Sequence, residues 1–307
     1  MKCLVTGGAG FIGYNLALEL EKQGYEVIVV DNLLTGNKNN LNGFKGKFIK
    51  QDVSENFEIE DKFKVIFHQA SITDPRHPND EETYNKNIQG FKNIIKLAQK
   101  NNSKLIYAST ASLYGNGHVP MKEDQEKEIL SAYGKSKLEM DKIAVSLFDR
   151  MHIVGLRYFN VFGPREAYKG RPASMIYHLG KQIRAGKTPR LFKWGEQKRD
   201  HIYVKDAVDA TIKSINAKKS CIVNVGTGIA TTFNDLIEIL NEVLGKALKP
   251  EYFDMPYDPK TYQKDTQADT TKAEKFLNFK AKWSLKEGIK DYFNWLDENG
   301  WDNGQIN

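Results

Sequence analysis

Cysteine is nearly absent from this chain: Cys3 and Cys221 are the 2 in 307 residues, far apart and outside any CxxC or Cys/His grouping. That excludes a disulfide-stapled scaffold and the familiar zinc-ligand spacings, and no metal site is expected. No apolar run approaches the roughly 18 residues that a membrane-spanning helix needs. Met1-Lys2 leads straight into Cys3-Leu4-Val5 without an apolar leader, so a cytoplasmic, reduced protein is expected. An excess of one charge is also lacking. Lys+Arg 45 against Asp+Glu 39 leaves +6, and lysines such as Lys96, Lys100 and Lys104 are scattered among acids and amides. With no nucleic-acid motif and a mild pI, a nucleic-acid partner is not expected. Ser/Gly linkers, internal repeats and low-complexity tracts are missing too.

What is present is a globular balance, 40% hydrophobic and 27% charged. At roughly 150 residues per domain the length suggests about two domains. Short apolar runs at 3–6, 26–30, 48–50, 65–67, 105–108 and 153–158 read as buried strands. Between them, helical periodicity covers 11–23, 81–101 and 132–150. This alternation predicts a doubly wound α/β fold, a parallel sheet with helices on both faces. After Gly163-Pro164 the pattern loosens. Prolines 172, 189, 250, 256 and 259 cluster there, and helices are expected over 173–185, 206–217, 232–244 and 285–296. A second, smaller α/β domain is expected from this half, with segments near 201–225 returning to the sheet.

Thr6-Gly7-Gly8-Ala9-Gly10-Phe11-Ile12-Gly13 lies between the first strand and the first helix. Glycines there let backbone approach a pyrophosphate, whose charge then sits at a helix N-terminus. Asp31 ends the second strand about 20 residues on, where a carboxylate can bind a ribose diol. That placement favours NAD. Lys38, seven residues further, is close enough in sequence to neutralise a 2′-phosphate, so NADP stays open.

Tyr133 and Lys137 form a YxxxK pair at the head of a predicted helix, on one face by their i, i+4 spacing. A neighbouring ammonium and a cationic nicotinamide are expected to lower the phenol from its usual value near 10. Ser109-Thr110 ends the fifth strand, on the side of a parallel sheet where ligands bind.

Together the glycine turn, Asp52-Val53, His68-Gln69-Ala70, Asn87, Ser109-Thr110 and Tyr133/Lys137 resemble the extended short-chain dehydrogenases/reductases of the sugar-nucleotide epimerase group. The resemblance spans essentially the whole chain. It implies a Rossmann domain over 1–164 and a discontinuous sugar-nucleotide domain over 165–307. It implies one tightly bound NAD or NADP per subunit, held by Gly7, Gly10, Phe11, Ile12, Gly13, Asp31, Asn32, Lys38, Asp52, Val53, Gln69, Ala70, Ser71, Asn87, Ser109, Tyr133, Lys137 and Tyr158. Asp52 would contact the adenine, Lys137 the nicotinamide ribose, and Thr110 would complete a triad. A homo-oligomer is compatible with it.

Within that group, Asn160 to Glu166, Tyr168-Lys169-Gly170, Ser174, His178, Lys198 to Val204 and Thr266 to Asp269 are similar to the heptose 6-epimerases that act on ADP-glycero-manno-heptose. The similarity implies a second acid/base at Lys169, opposite Tyr133. Substrate would meet Thr110, Asn160, Lys169, Ser174, His178, Phe192, Arg199 and Tyr262, with Arg199 on the diphosphate. Two segments depart from that pattern. Ser71-Ile72-Thr73-Asp74-Pro75-Arg76-His77 looks more like other sugar-nucleotide epimerases, and Arg171-Pro172 stands where a small residue and a methionine are expected.

The implied reaction removes a hydroxyl proton and a hydride from one carbon, then returns the hydride to the other face. Inversion at C6 of the heptose is expected, with a C4 epimerase of a UDP-hexose or UDP-N-acetylhexosamine as the alternative. A 4,6-dehydratase is disfavoured, because Ala111-Ser112 follows Thr110 where that chemistry carries an Asp-Glu pair. A keto-sugar reductase would consume external NAD(P)H, and a mere NAD(P) sensor would not need Tyr133/Lys137.

Overall fold

The computed structural model describes residues 1–74, 77–256, 258 and 262–301. Pro75, Arg76 and Pro259, used above, lie outside the described residues. Six strands come first: β1 (Lys2–Thr6), β2 (Glu26–Asp31), β3 (Lys47–Lys50), β4 (Val65–His68), β5 (Lys104–Thr110) and β6 (Ile153–Tyr158). Shorter ones follow: β7 (Asn160–Phe162), β8 (Arg190–Phe192), β9 (Lys198–Arg199), β10 (His201–Tyr203), β11 (Cys221–Val225), β12 (Thr231–Thr232) and β13 (Glu251–Phe253). The helices are α1 (Phe11–Lys22), α2 (Asp80–Asn101), α3 (Ala132–Val145), α4 (Met175–Arg184), α5 (Val204–Lys213), α6 (Phe233–Leu244), α7 (Thr271–Leu277) and α8 (Leu285–Asn299).

Seven strands make one parallel sheet in the order β11-β6-β5-β4-β1-β2-β3. Its inner strands read as continuous apolar runs because both faces are covered. Along β1, Cys3 and Val5 enter one core while Leu4 enters the other; along β2, Val27 and Val29 separate likewise from Ile28 and Val30. Leu16, Leu20 and Ala207, from α1 and α5, fill the first face. Phe91, Ile94 and Met140, from α2 and α3, fill the second.

The strand order reverses between β1 and β4, which opens a crevice at their carboxyl ends. From the second half of the chain, β11 returns to pair with β6 (Val223 beside Leu156) and extends the sheet by one strand. The other late strands form small pairs: β7 with β10, β9 with β12, and β8 with β13.

Some boundaries differ from the periodicity. The helix expected over 132–150 stops at Val145, where the Ser146 hydroxyl donates to the Ile143 carbonyl and Leu147 and Phe148 turn back on Ala144 and Val145. Such local bonds compete with helix propagation. The helix expected from 173 begins at Met175, because Ser174 is its N-cap and accepts from the Tyr177 N–H. That expected over 206–217 starts at Val204 and tightens into a 3₁₀ turn at Ser214–Asn216. The seven-residue α7 was not anticipated; it buries Ala273 and Leu277, too few positions for a periodic signal.

Candidate active site

The glycine turn is dictated by crowding. Gly7 has φ +68, and a Cβ there would lie 2.6 Å from the Ala70 nitrogen. A Cβ on Gly13 would lie 2.1 Å from the Gly7 carbonyl oxygen. α1 then starts at Phe11 with Gly10 as an N-cap that forms no side-chain bond, and with no acid in its first turn. Unsatisfied N–H groups and the positive end of the helix dipole are thereby left for an anion.

At the end of β2, Asp31 is 7% exposed and accepts from the Ala9 N–H (3.0 Å) and the Leu33 N–H (2.8 Å). Burial raises its pKa, against the pull of those two bonds. The carboxylate is thus fixed at the lip of the glycine turn. Asn32 donates 2.9 Å to Asp52, which also accepts from the Ser54 N–H and hydroxyl and has Lys86 at 3.8 Å. Burial would raise the Asp52 carboxyl, but these bonds and Lys86 hold it below its ordinary value. Lys38 is not placed here. It opens the 3₁₀ turn Lys38–Leu41 with its side chain exposed, off the crevice, because Asn37 is drawn inward by a bond from its N–H to the Ala9 carbonyl.

Ser131 caps α3, accepting from the Gly134 N–H at 3.1 Å, and so aims Tyr133 and Lys137 at the end of β5. Lys137 is 1% exposed; its Nζ donates to the Ala108 carbonyl at 2.8 Å and lies 5.7 Å from the Tyr133 ring centroid. Burial pushes the Tyr133 phenol up to about 12, opposed by a hydrogen bond with Thr110. It pushes Lys137 down to about 7, opposed by Asp141. The expectation of a lowered phenol is therefore not met by the chain's own groups. Lys137 is buried and Tyr133 half-buried, and an ammonium that titrates near neutrality supplies only part of its charge. Behind them, Asn87 bonds both the N–H and the carbonyl of Ile72 and donates to Ser136, which ties the loop after β4 to α3.

The second half of the chain closes the other side. Asn160 stands exposed at the start of β7, its side-chain oxygen accepting from Thr266 (3.0 Å). Lys169 ends the 3₁₀ turn Glu166–Lys169, half-buried, its Nζ 5.7 Å from the Phe11 ring centroid. Burial lowers its pKa, while Glu166 and Asp74 raise it. Arg199 donates to the carbonyls of Lys198, Lys264 and Gln263, which fixes its plane 5.1 Å from the Tyr262 ring centroid. Phe192 meets Tyr262 and Phe253 edge-on, with centroids 5.8 and 5.0 Å apart.

All these groups line one cleft of about 1140 Å³, Gly7, Asp31 and Asp52 at one end and Phe192, Arg199 and Tyr262 at the other. Every residue expected from the sequence to meet cofactor or substrate lines it except Lys38. The residues present fit a dinucleotide. Besides the glycine cradle, the buried Ser71 Oγ and Ser109 Oγ face this region with no hydrogen-bond partner among the described residues. Buried donors of that kind are costly unless something accepts from them.

Sequence reasoning missed Arg190, Gln197, Phe233 and Phe253, which line the far end. Arg190 and Phe253 are brought together by β13 pairing with β8 (Tyr252 beside Leu191), and Gln197 and Phe233 by the bond from the Phe233 N–H to the Gln197 carbonyl, contacts distant in sequence with no local signal. Asp74, His77 and Arg171 also line the cleft, the first two in the segment that departs from the heptose-enzyme pattern.

Residues 3–226 match the model of the NAD dependent epimerase/dehydratase family. The chain is 37% identical to an ADP-L-glycero-D-manno-heptose-6-epimerase of Brachyspira hyodysenteriae, over 97% of this chain and 98% of that one. Among solved structures, the Helicobacter pylori ADP-L-glycero-D-manno-heptose-6-epimerase superposes with TM-score 0.90 at 36% identity, covering 96% of both chains. A Thermotoga maritima UDP-glucose 4-epimerase, solved with UDP-glucose, gives TM-score 0.90 at 30% identity, over 97% of this chain and 99% of that one.

Proposed function

The chain belongs to the NAD dependent epimerase/dehydratase family and is a sugar-nucleotide epimerase; from that premise we propose that its substrate is ADP-glycero-manno-heptose, inverted at C6. The observation that carries this reading is the convergence, on one cleft, of the Tyr133/Lys137 turn with Lys169 from a different part of the chain. Two acid/bases on separate elements suit an inversion in which the carbonyl must be protonated from either face. The heptose 6-epimerases are also the relatives with the higher identity among those compared.

In this scheme Asp31 takes the adenosine ribose diol, Asp52 and Asn32 the adenine side, and the α1 N-terminus the pyrophosphate. Bound NAD supplies a hydride acceptor and, with its cationic ring, favours the phenolate of Tyr133. Tyr133 (or Lys169) takes the proton of the reacting hydroxyl, with Thr110 holding that oxygen. Lys137 binds the nicotinamide ribose and keeps Tyr133 in place. After the flat keto sugar turns over, the hydride would return to its other face while the opposite residue returns a proton to the oxygen. Asn160, Ser174, His178, Phe192, Arg199 and Tyr262 hold the nucleotide-diphosphate end, Arg199 against the diphosphate. Closure of the cleft hinders escape of the keto intermediate.

A second reading, a C4 epimerase of a UDP-hexose or UDP-N-acetylhexosamine, is favoured by one observation: Asp74, His77 and Arg171 line the cleft in the two segments that depart from the heptose-enzyme pattern. Proton NMR of the purified enzyme with ADP-glycero-manno-heptose, UDP-glucose and UDP-N-acetylglucosamine, each alone, decides between them. Signal inversion at C6 of the heptose is expected; inversion at C4 of a UDP-sugar would transfer the assignment to the second reading.

A further inference from the structure

Lys169 reaches the cleft from a loop, 163–174, whose two ends meet on one buried carboxylate. Glu166 is 0% exposed. Its Oε1 accepts from the Gly163 N–H (3.2 Å) at the start of the loop and from the Ser174 hydroxyl (2.9 Å) at its end. Its Oε2 accepts from the Ser174 N–H (2.7 Å). Ser174 in turn caps α4, which carries His178 one turn on. Between the ends the backbone folds tightly: Gly170 donates to Ala167, Ala173 to Gly170, and Arg165 and Gly170 have φ +77 and +62. The charged groups that the loop projects into the cleft are both cationic, Lys169 and Arg171, beside Tyr168 and Pro172.

We propose that Glu166 is a positioning residue for the epimerisation: by closing loop 163–174 on itself it sets where the Lys169 ammonium stands over the cleft. Three donors of the loop converge on two oxygens, with the Tyr292 hydroxyl of α8 against the same carboxylate, and only a carboxylate satisfies them all. A glutamine in either orientation turns its NH₂ toward an N–H, leaving a buried donor unpaired at one end of the loop. The negative charge also faces the amine three residues on, and Glu166 and Asp74 are the acids that favour its charged form.

The inference rests on Lys169 acting in the reaction, so the test separates the two. Glu166→Gln, Lys169→Met and the double variant are assayed by NMR on the nucleotide sugar that the wild type inverts, with NAD content and thermal midpoint measured on each. Glu166→Gln is expected to lower kcat on the order of 10- to 100-fold, the scale of a misplaced reacting group, with KM and NAD content little changed. The double variant is expected to be no slower than Lys169→Met, because residues acting as a unit are not additive. A Glu166→Gln enzyme at full kcat overturns the proposal. So does one whose loss multiplies with that of Lys169→Met, or comes with lost NAD and a collapsed midpoint. A fully active Lys169→Met removes the functional reading of that lysine instead. A readout free of turnover accompanies these: amide hydrogen exchange should rise within 163–174 in Glu166→Gln and stay unchanged in α1 and β5, and unchanged exchange in the loop sinks the staple.

Discussion

The Lys137 ammonium donates 2.8 Å to the carbonyl of Ala108, two residues before Thr110. The same side chain therefore fixes the second turn of α3 on the end of β5, and the hydroxyls of Tyr133 and Thr110 come within hydrogen-bonding reach. Placement of the proposed acid/base is thus a property of strand and helix together.

Tyr133→Phe deletes one oxygen and keeps the ring. Turnover is expected to fall by about 10²- to 10⁴-fold, the range supplied by a positioned general acid/base, while NAD stays bound. The check is NMR turnover beside cofactor release on denaturation; full activity in this variant would remove the assignment.

Lys137 gives a pH signature in stability. Its pKa stands near 7 in the folded chain against 10.5 as the ordinary value. Between those values the unfolded chain holds a proton that the folded chain has lost, so unfolding free energy from this group rises with pH from about 7 to about 10.5. Lys137→Met should flatten that rise, measured by urea unfolding at about pH 6.5 and about pH 9.5. Parallel pH slopes in the two proteins would contradict it.

In the proposed scheme Asp31 selects the cofactor's ribose. Asp31→Ser loses a charged acceptor for a diol and the repulsion of a 2′-phosphate. Its NAD affinity should drop by about 1.5–3 kcal/mol, the value of a hydrogen bond to a charged group, with the NAD:NADP preference moving toward NADP. Fluorescence titration of cofactor-stripped protein reads both constants, and an unmoved ratio would exclude the ribose contact.

Asp141 is paired inside the protein, with Arg157 Nε at 2.9 Å and the Tyr107 hydroxyl at 2.8 Å. Removing one partner of such a pair strands the other charge, so Asp141→Ala should cost about 3–5 kcal/mol of unfolding free energy. Tyr107→Phe, which loses one hydrogen bond, should cost about 1–3 kcal/mol because the acceptor is left buried. Denaturant unfolding ranks them, and the reverse order would mean that Arg157 finds other acceptors.

The cofactor half of the site was legible because its requirements are local. A strand, a glycine turn and a helix start are adjacent in sequence, and Asp31 follows at one strand's distance. Tyr133 and Lys137 needed only helical spacing. Lys38 was misplaced because proximity in sequence says nothing about which way a turn faces, and here Asn37 is the residue turned inward. The far end was illegible for a different reason. Phe192 and Phe253 meet through pairing of β8 with β13, Tyr262 joins them from beyond β13, and the proposed role of Glu166 rests on a bond from Ser174 that no period announces. The phenol's upward shift depends on burial, which a helical wheel does not measure.

The return of β11 to the sheet makes the molecule indivisible at the place where its sequence most invites a cut. Severed after Pro164, the first portion would present the whole of β6 as an open edge, its Val154 to Tyr158 amides and carbonyls ready to recruit a neighbouring chain. Gene fragments divided there should produce aggregates when expressed singly and a soluble assembly when expressed together, so reassembly would report on this one strand's homecoming.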